Sequence, residues 1–266
     1  MDLVAFHGAG LRTGETCSVT LARVPGPLSI VVDGVDAHHS EMKAQVVGSR
    51  LGVVLPGGHE IDGIEPLFAA LAGLGIQHGV RIDVEGSELP LLDAASRELA
   101  LALRALAPPR EAPRLRVVQA GEILAGSSRY SFEPRVSVDI AVTIEERPVG
   151  RQRAAWDGNP AQFVATLAAA RLYDSAIPEE RTVTRRARGA SAATVLLLRA
   201  DGRAESPGAD PGPNELAQHR LLDLLADLYL FGGPPLGRIR AWQPEHGATH
   251  HAIRQALEFG LLAYQR

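Results

Sequence analysis

Cysteine is nearly absent: Cys17 stands alone among 266 residues, which excludes an internal disulfide framework and any thiolate cluster for zinc or iron–sulfur. Lysine is as scarce. Lys43 is the only one, so 26 of the 27 basic residues are arginine, and no GxxxxGK[ST] phosphate loop can be written. Positive charge is not in excess either. With 31 acidic residues the formal charge is −4 and the pI about 6.1, so no long-range field draws nucleic acid or anionic lipid. Apolar runs such as Ala69 to Ile76 and Val195 to Leu198 fall short of the roughly 18 residues that a membrane span needs. Asp2 lies where a signal peptide would carry positive charge. These absences predict a soluble, cytoplasmic protein with no nucleic-acid partner and no transmembrane segment.

What is present predicts a folded chain. Hydrophobic residues make up 45% and charged residues 22%, the balance of an ordinary globular protein. The length allows one large or two small units. The clearest break is Ala105 to Pro113, where Pro108, Pro109 and Pro113 follow an Ala/Leu-rich helix. It divides the chain into 1–107 and 115–266. A weak internal repeat links the two parts. Helix Leu67–Leu74, strand Val80–Val84 and helix Ala94–Leu106 have counterparts in helix Glu215–Leu230, strand Arg238–Trp242 and helix Ala248–Tyr264. Period-2 alternation in Cys17–Arg23, Leu28–Val32 and Val136–Ile144 marks strands of antiparallel or mixed sheets. The expected fold class is α+β: two similar domains, each a layer of helices on a small mixed or antiparallel sheet, with an active-site cleft between them. Ala204 to Pro213 reads as a loop ending at Asn214, a good N-cap for the next helix. Arg181 to Arg188 reads as a solvated cationic run.

Three segments could carry chemistry. On the helix after Asn214, His219, Asp223 and Asp227 form an i, i+4, i+8 stripe opposite a leucine face. An imidazole and a carboxylate one turn apart can share a metal ion; a solvated polar face accounts for the same stripe. In Gln243–His251, His246 sits at a loop-to-helix junction from which an imidazolium can stabilise an oxyanion or donate a proton. His250 and His251 fall one to two turns into that helix, where a surface role serves equally. Glu65 begins a helix whose first turn accommodates Pro66; its charge either complements the helix dipole or acts as a general base.

Taken in order, these segments resemble the zinc-dependent UDP-3-O-acyl-N-acetylglucosamine deacetylases of lipid A biosynthesis. Gly8-Ala-Gly-Leu-Arg-Thr-Gly14 is similar to GxGLHTG, and Ile64-Glu-Pro-Leu-Phe-Ala-Ala-Leu-Ala-Gly-Leu-Gly-Ile76 to VEHLLAALAGLGI. Ser87-Glu-Leu-Pro-Leu-Leu-Asp93 is similar to PEIPIMDG, and Gln218-His-Arg-Leu-Leu-Asp-Leu-Leu-Ala-Asp-Leu-Tyr-Leu230 to RHKxLDxxGDLxL. Glu245-His246-Gly follows at the spacing of SGHAxNN. The resemblance implies His219 and Asp223 as zinc ligands, Glu65 as general base and His246 as the cation facing the tetrahedral intermediate. It further implies that Asp227 orients His246, and it places Arg220, where the family has a lysine, at the substrate. The implied activity is metal-assisted hydrolysis of an acetamide on an acylated UDP-amino sugar or related lipid-sugar, by a monomer.

The chain departs from that pattern at the metal. The residue after the general base, the family's third zinc ligand, is Pro66, which has no donor atom. Arg12 replaces the histidine of the first motif, ARTFG reads Ala170-Arg-Leu-Tyr-Asp174, and the second family insert reads as shortened between Glu145 and Asn159. Three readings follow. His59, His246 or His250 completes the site; or the metal is lost and a pseudoenzyme keeps the cleft for a ligand or a protein partner; or a weakly held metal has two protein ligands and several waters.

Overall fold

The structure, a computed structural model, describes residues 2–147, 149–174, 195–198, 204–205 and 212–265. The Arg181–Arg188 run lies outside the described residues, as does most of Ala204–Pro213. The first half opens with strands β1 (Leu3–Ala9), β2 (Thr16–Pro27), β3 (Ser29–Val32) and β4 (Val35–His38). Asp33 and Gly34, both at positive φ, make the tight β3–β4 connection that an Asp-Gly pair favours. An inserted sheet follows, β5 (Lys43–Val47), β6 (Arg50–Val54) and β7 (Glu60–Asp62). Then come helix α1 (Glu65–Leu74), strand β8 (His78–Glu85) and helix α2 (Arg97–Leu106).

After β9 (Leu115–Val117), the second half repeats this order with β10 (Gly121–Ala125), β11 (Ser128–Glu133), β12 (Val138–Glu146) and β13 (Gly150–Trp156). A short helical turn and a small sheet of β14 (Tyr173–Asp174), β15 (Leu196–Leu198) and β16 (Ala204–Glu205) precede helix α3 (Glu215–Tyr229). Strand β17 (Gly237–Trp242), helix α4 (His246–Glu258) and strand β18 (Leu262–Tyr264) complete it.

The repeat is also one of topology. The two main sheets run β1-β2-β8-β3-β4 and β10-β11-β17-β12-β13: in each, the strand after the central helix enters between the second and third strands. It pairs antiparallel with one neighbour and parallel with the other, so both sheets are mixed, as expected for an α+β protein. The inserts occupy equivalent places, before α1 and before α3. Glu145 to Asn159, read from sequence as the shortened second insert, is instead largely the β12–β13 hairpin, and the extra sheet of the second half lies at β14–β16.

Helix α1 is apolar on every side and buried from Leu67 to Leu74, which marks a helix enclosed by protein. Its end is set by Gly75 at φ 68, whose N–H bonds Ala72, while Ile76 N–H reaches back to Leu71; this is the left-handed glycine cap. Helix α1 packs against α2 and α3, and α3 against β12, β13 and α4. Phe68 and Tyr229 meet with ring centroids 5.1 Å apart, and the Tyr229 hydroxyl donates to the Ile76 carbonyl at 2.8 Å. One apolar core thus runs through both halves.

Three local expectations change. The stripe of His219, Asp223 and Asp227 is buried, with 9%, 9% and 1% of each residue exposed, because α3 is covered on both sides. The Asn214 side chain does not cap α3; its Oδ1 accepts from the Arg153 N–H of β13 at 3.3 Å. The last helix ends at Glu258, and Leu262–Tyr264 pairs with Leu115–Val117 after Gly260, at φ 70, turns the chain.

Candidate active site

The site forms where the first turn of α1 meets one face of α3 and the start of α4. Gly63, at φ 69, and Pro66 in the first turn begin α1 so that Glu65 stands at its N-terminus. Its Oε1 accepts from the Leu51 N–H of β6 at 2.7 Å. Strand β6 is itself tied to this loop, since the Leu51 carbonyl accepts from Gly63 N–H at 3.2 Å and Ile64 N–H at 3.4 Å. From the other half, His246 Nε2 lies 3.7 Å from Glu65 Oε1. Its Nδ1 is 2.9 Å from Asp227 Oδ1, and His250 Nε2 reaches the same oxygen at 2.9 Å. An ionised carboxylate only accepts, so both rings donate to Asp227.

Burial sets the charges. Removal from water pushes the Glu65 carboxyl up to about 7, against the opposing pull of His246 and the backbone N–H groups. Burial alone would neutralise His246, but Asp227 first, then Asp223 and Glu65, outweigh it and push the imidazolium up to about 10. Glu65 and His246 are therefore an acid–base pair in which both members hold their proton more tightly than usual.

One turn earlier on α3, His219 Nε2 faces Asp223 Oδ1 at 3.7 Å, and its Nδ1 lies 3.4 Å from the Ala170 carbonyl. Burial holds His219 below its ordinary range, against the pull of Asp223. Asp223 stays ionised, below its ordinary range, despite the cost of burial, because His219, His246 and Arg220 surround it. Arg220 donates to Asp223 Oδ2 at 3.3 Å and to the Tyr173 hydroxyl at 2.8 Å, with its guanidinium 5.2 Å over the Tyr173 ring.

All six residues singled out from sequence, Glu65, His219, Arg220, Asp223, Asp227 and His246, are thus neighbours in one region. Two partners were not legible there: the Leu51 N–H, a backbone donor from an inserted strand, and Tyr173, whose only signal was its place in the Ala170–Asp174 segment.

A catalytic zinc takes three protein donors and a water. His219 and Asp223 supply two. Pro66 supplies none, His59 is paired with Asp33 at 3.5 Å, His250 turns its Nε2 on Asp227, and His246 holds Asp227 with Nδ1 and faces Glu65 with Nε2. Among the described residues no three His, Cys, Asp or Glu side chains converge as a metal-binding group. The donor set does not fit a three-ligand zinc.

Comparison with known proteins agrees with the architecture. The profile of the family described as UDP-3-O-acyl N-acetylglycosamine deacetylase matches residues 2–258. The UDP-3-O-acyl-N-acetylglucosamine deacetylase of Myxococcus xanthus is 26% identical over 266 aligned residues, covering 96% of this chain and 84% of that protein. The protein of the same name from Phenylobacterium zucineum is 27% identical over 262 residues, covering 94% and 89%. With a match that runs through both halves of the repeat and every segment of the site, the chain belongs to the UDP-3-O-acyl N-acetylglycosamine deacetylase family.

Proposed function

We propose that this chain is a non-catalytic member of its family, a cytoplasmic monomer that holds an acylated UDP-amino sugar or a related lipid-sugar in the cleft without hydrolysing it. The carrying observation is the donor set: Pro66 follows Glu65, and His219 with Asp223 are two ligands where catalytic zinc needs three. In this reading the polar groups bind instead of react. Arg220 offers its remaining N–H groups to ligand oxygens, and the Asp227-supported His246 and Glu65 hold a carbonyl and an amide N–H of the ligand. No helix among the described residues is long and apolar enough to cross a membrane.

The Glu65–His246 pair favours a second reading, an N-deacetylase acting on the same ligand class, because a base and an acid 3.7 Å apart are the parts such hydrolysis uses. That reading places zinc on His219 and Asp223 and requires a further donor.

The two readings separate by metal content and turnover, measured on protein purified without chelator beside Pro66→His. The expected result is little zinc and no deacetylation in the parent, with near-stoichiometric zinc in the variant. Near-stoichiometric zinc and turnover in the parent would overturn the proposal in favour of the hydrolase.

A further inference from the structure

The two oxygens of Asp223 meet different neighbours. His219 Nε2 lies 3.7 Å from Oδ1, and Arg220 Nη1 donates to Oδ2 at 3.3 Å. The Arg220 and Asp223 side chains are only 24% and 12% exposed, so salt and water screen this pair weakly. An arginine three residues from its partner on a helix is ordinarily free to swing away; Tyr173 holds this one. Its hydroxyl accepts from Arg220 Nε at 2.8 Å, and its ring lies 5.2 Å from the guanidinium carbon. The same ring meets that of His219 at a steep angle, with centroids 5.7 Å apart. Tyr173 is in turn fixed by backbone, since it pairs with Leu196 across β14–β15 and follows Leu172, whose N–H bonds the Ala94 carbonyl at 2.8 Å. His219, Asp223, Arg220 and Tyr173 thus form a closed ring of contacts.

Two members of that ring depart from the motifs quoted above: Arg220 stands at the lysine of RHKxLDxxGDLxL, and Tyr173 at the phenylalanine of ARTFG. Phenylalanine has no hydroxyl to accept from a guanidinium, and an ammonium lacks the planar fork that reaches two partners in fixed directions. The contact as it stands needs both changes. Its effect falls on Asp223. A carboxylate ligand brings a metal ion its lone pairs and its negative charge; here a guanidinium already occupies one oxygen, and its charge repels a dication. We infer that Arg220, held by Tyr173, supplies at Asp223 the positive charge that a metal ion would otherwise bring, so that the His219–Asp223 pair stays in place without metal and resists one. The inference rests on the reading that this chain works without catalytic zinc, and adds to the missing ligand at Pro66 an internal competitor for the metal.

The test measures zinc affinity, by competition with a chromophoric chelator, on metal-free full-length Pro66→His and on that variant carrying in addition Tyr173→Phe, Arg220→Met or Arg238→Met. Arg238 pairs with Glu133 and Asp139 on the other sheet face, so Arg238→Met controls for the loss of one net charge. Arg220→Met is expected to tighten zinc about tenfold or more, a small part of the repulsion between a guanidinium and a dication in a buried site. Tyr173→Phe should tighten it about threefold, by freeing the guanidinium to leave, and Arg238→Met should leave it unchanged. A second readout needs no metal. Arg220→Met in the parent should lower the urea midpoint by stranding a buried carboxylate, and Asp223→Asn in the same background should restore much of the loss. Equal zinc affinities for all four proteins, an equal gain from Arg238→Met, or no recovery by Asp223→Asn would overturn the inference; a gain from Arg220→Met with none from Tyr173→Phe would overturn the part given to Tyr173. These results leave the non-catalytic reading untouched, because that reading is decided by zinc and turnover in the parent.

Discussion

Oε1 of Glu65, at the first turn of α1, lies 3.7 Å from Nε2 of His246, the first residue of α4, and the two halves of the repeat thereby share one proton-active pair. Both groups bind their proton more tightly in the folded chain than in the unfolded one. Glu65 rises from 4.5 to about 7, so its contribution to stability falls as pH climbs through that window. His246 rises from 6.5 to about 10, so the stabilisation it provides is complete below 6.5 and is lost as pH rises through about 10. The two slopes have the same sign. Urea midpoints should therefore decline from pH 5 to pH 10, by several kcal/mol in unfolding free energy. Asp227→Asn, which removes the main support of the imidazolium, should flatten the decline above pH 6.5; parallel curves for parent and variant would show that Asp227 does not hold that charge.

His250 donates to the oxygen of Asp227 that also holds His246, and its ring lies 5.1 Å from that of Phe231. His250→Ala removes a buried donor and opens space beside Phe231, for an expected loss of about 2–3 kcal/mol. His250→Asn keeps a donor on a shorter side chain and should recover part of it. Thermal unfolding of the two variants beside the parent checks the order; equal losses would mean that packing alone matters at this position.

Much of the site was legible because its residues sit at fixed helical intervals. His219, Asp223 and Asp227 share a face of α3 by spacing alone. Their burial was not legible, since a polar stripe reads as solvated until the packing of α1 and α4 over it is known. The shared oxygen of Asp227 depends on how α4 docks against α3, which no local pattern encodes. Leu51 was invisible for another reason: it acts through its N–H, so its side chain carries no signal. At the C-terminus, Leu261-Leu262-Ala263-Tyr264 continues an apolar helical pattern as readily as it forms a strand. The pairing of Leu262–Tyr264 with Leu115–Val117 decides between them.

Ala94 tests the cost of backbone strain at the α2 entrance. The expected start of α2 at Ala94 fails because this residue has φ 53 and its neighbour Leu92 φ 50, and the helix begins at Arg97. Ala94 is fixed by its N–H on the Leu91 carbonyl at 2.8 Å and by its carbonyl, which accepts from Leu172 N–H at 2.8 Å. Glycine relieves a left-handed state but forfeits a buried methyl, two effects of about 1 kcal/mol each and of opposite sign. Ala95, equally buried at 3% exposure and outside the left-handed region, loses the methyl with no relief. Ala94→Gly should therefore be close to neutral and Ala95→Gly costlier by about 1 kcal/mol, as read from denaturant midpoints. Equal costs would remove strain from the account of this turn.

Gly73 sets propensity against packing. In the interior of α1, alanine would ordinarily be better than glycine by about 1 kcal/mol. Here a Cβ on Gly73 would fall 2.3 Å from the Phe163 ring, and that ring is fully buried against Trp156, with centroids 6.3 Å apart. Phe163 cannot yield without displacing Trp156, and overpacking of this kind costs about 1–3 kcal/mol, so packing wins. Gly73→Ala should lower stability by about 2 kcal/mol net of any helix gain. Because α1 also carries Glu65, a shift of the helix would move that carboxylate away from Leu51 and His246. The variant should thus lose affinity for the cleft's ligand as well as stability, whereas Phe163→Leu in the same background should restore both. Failure of that second substitution to rescue Gly73→Ala would show that the glycine serves the helix for some reason other than the approach of Phe163.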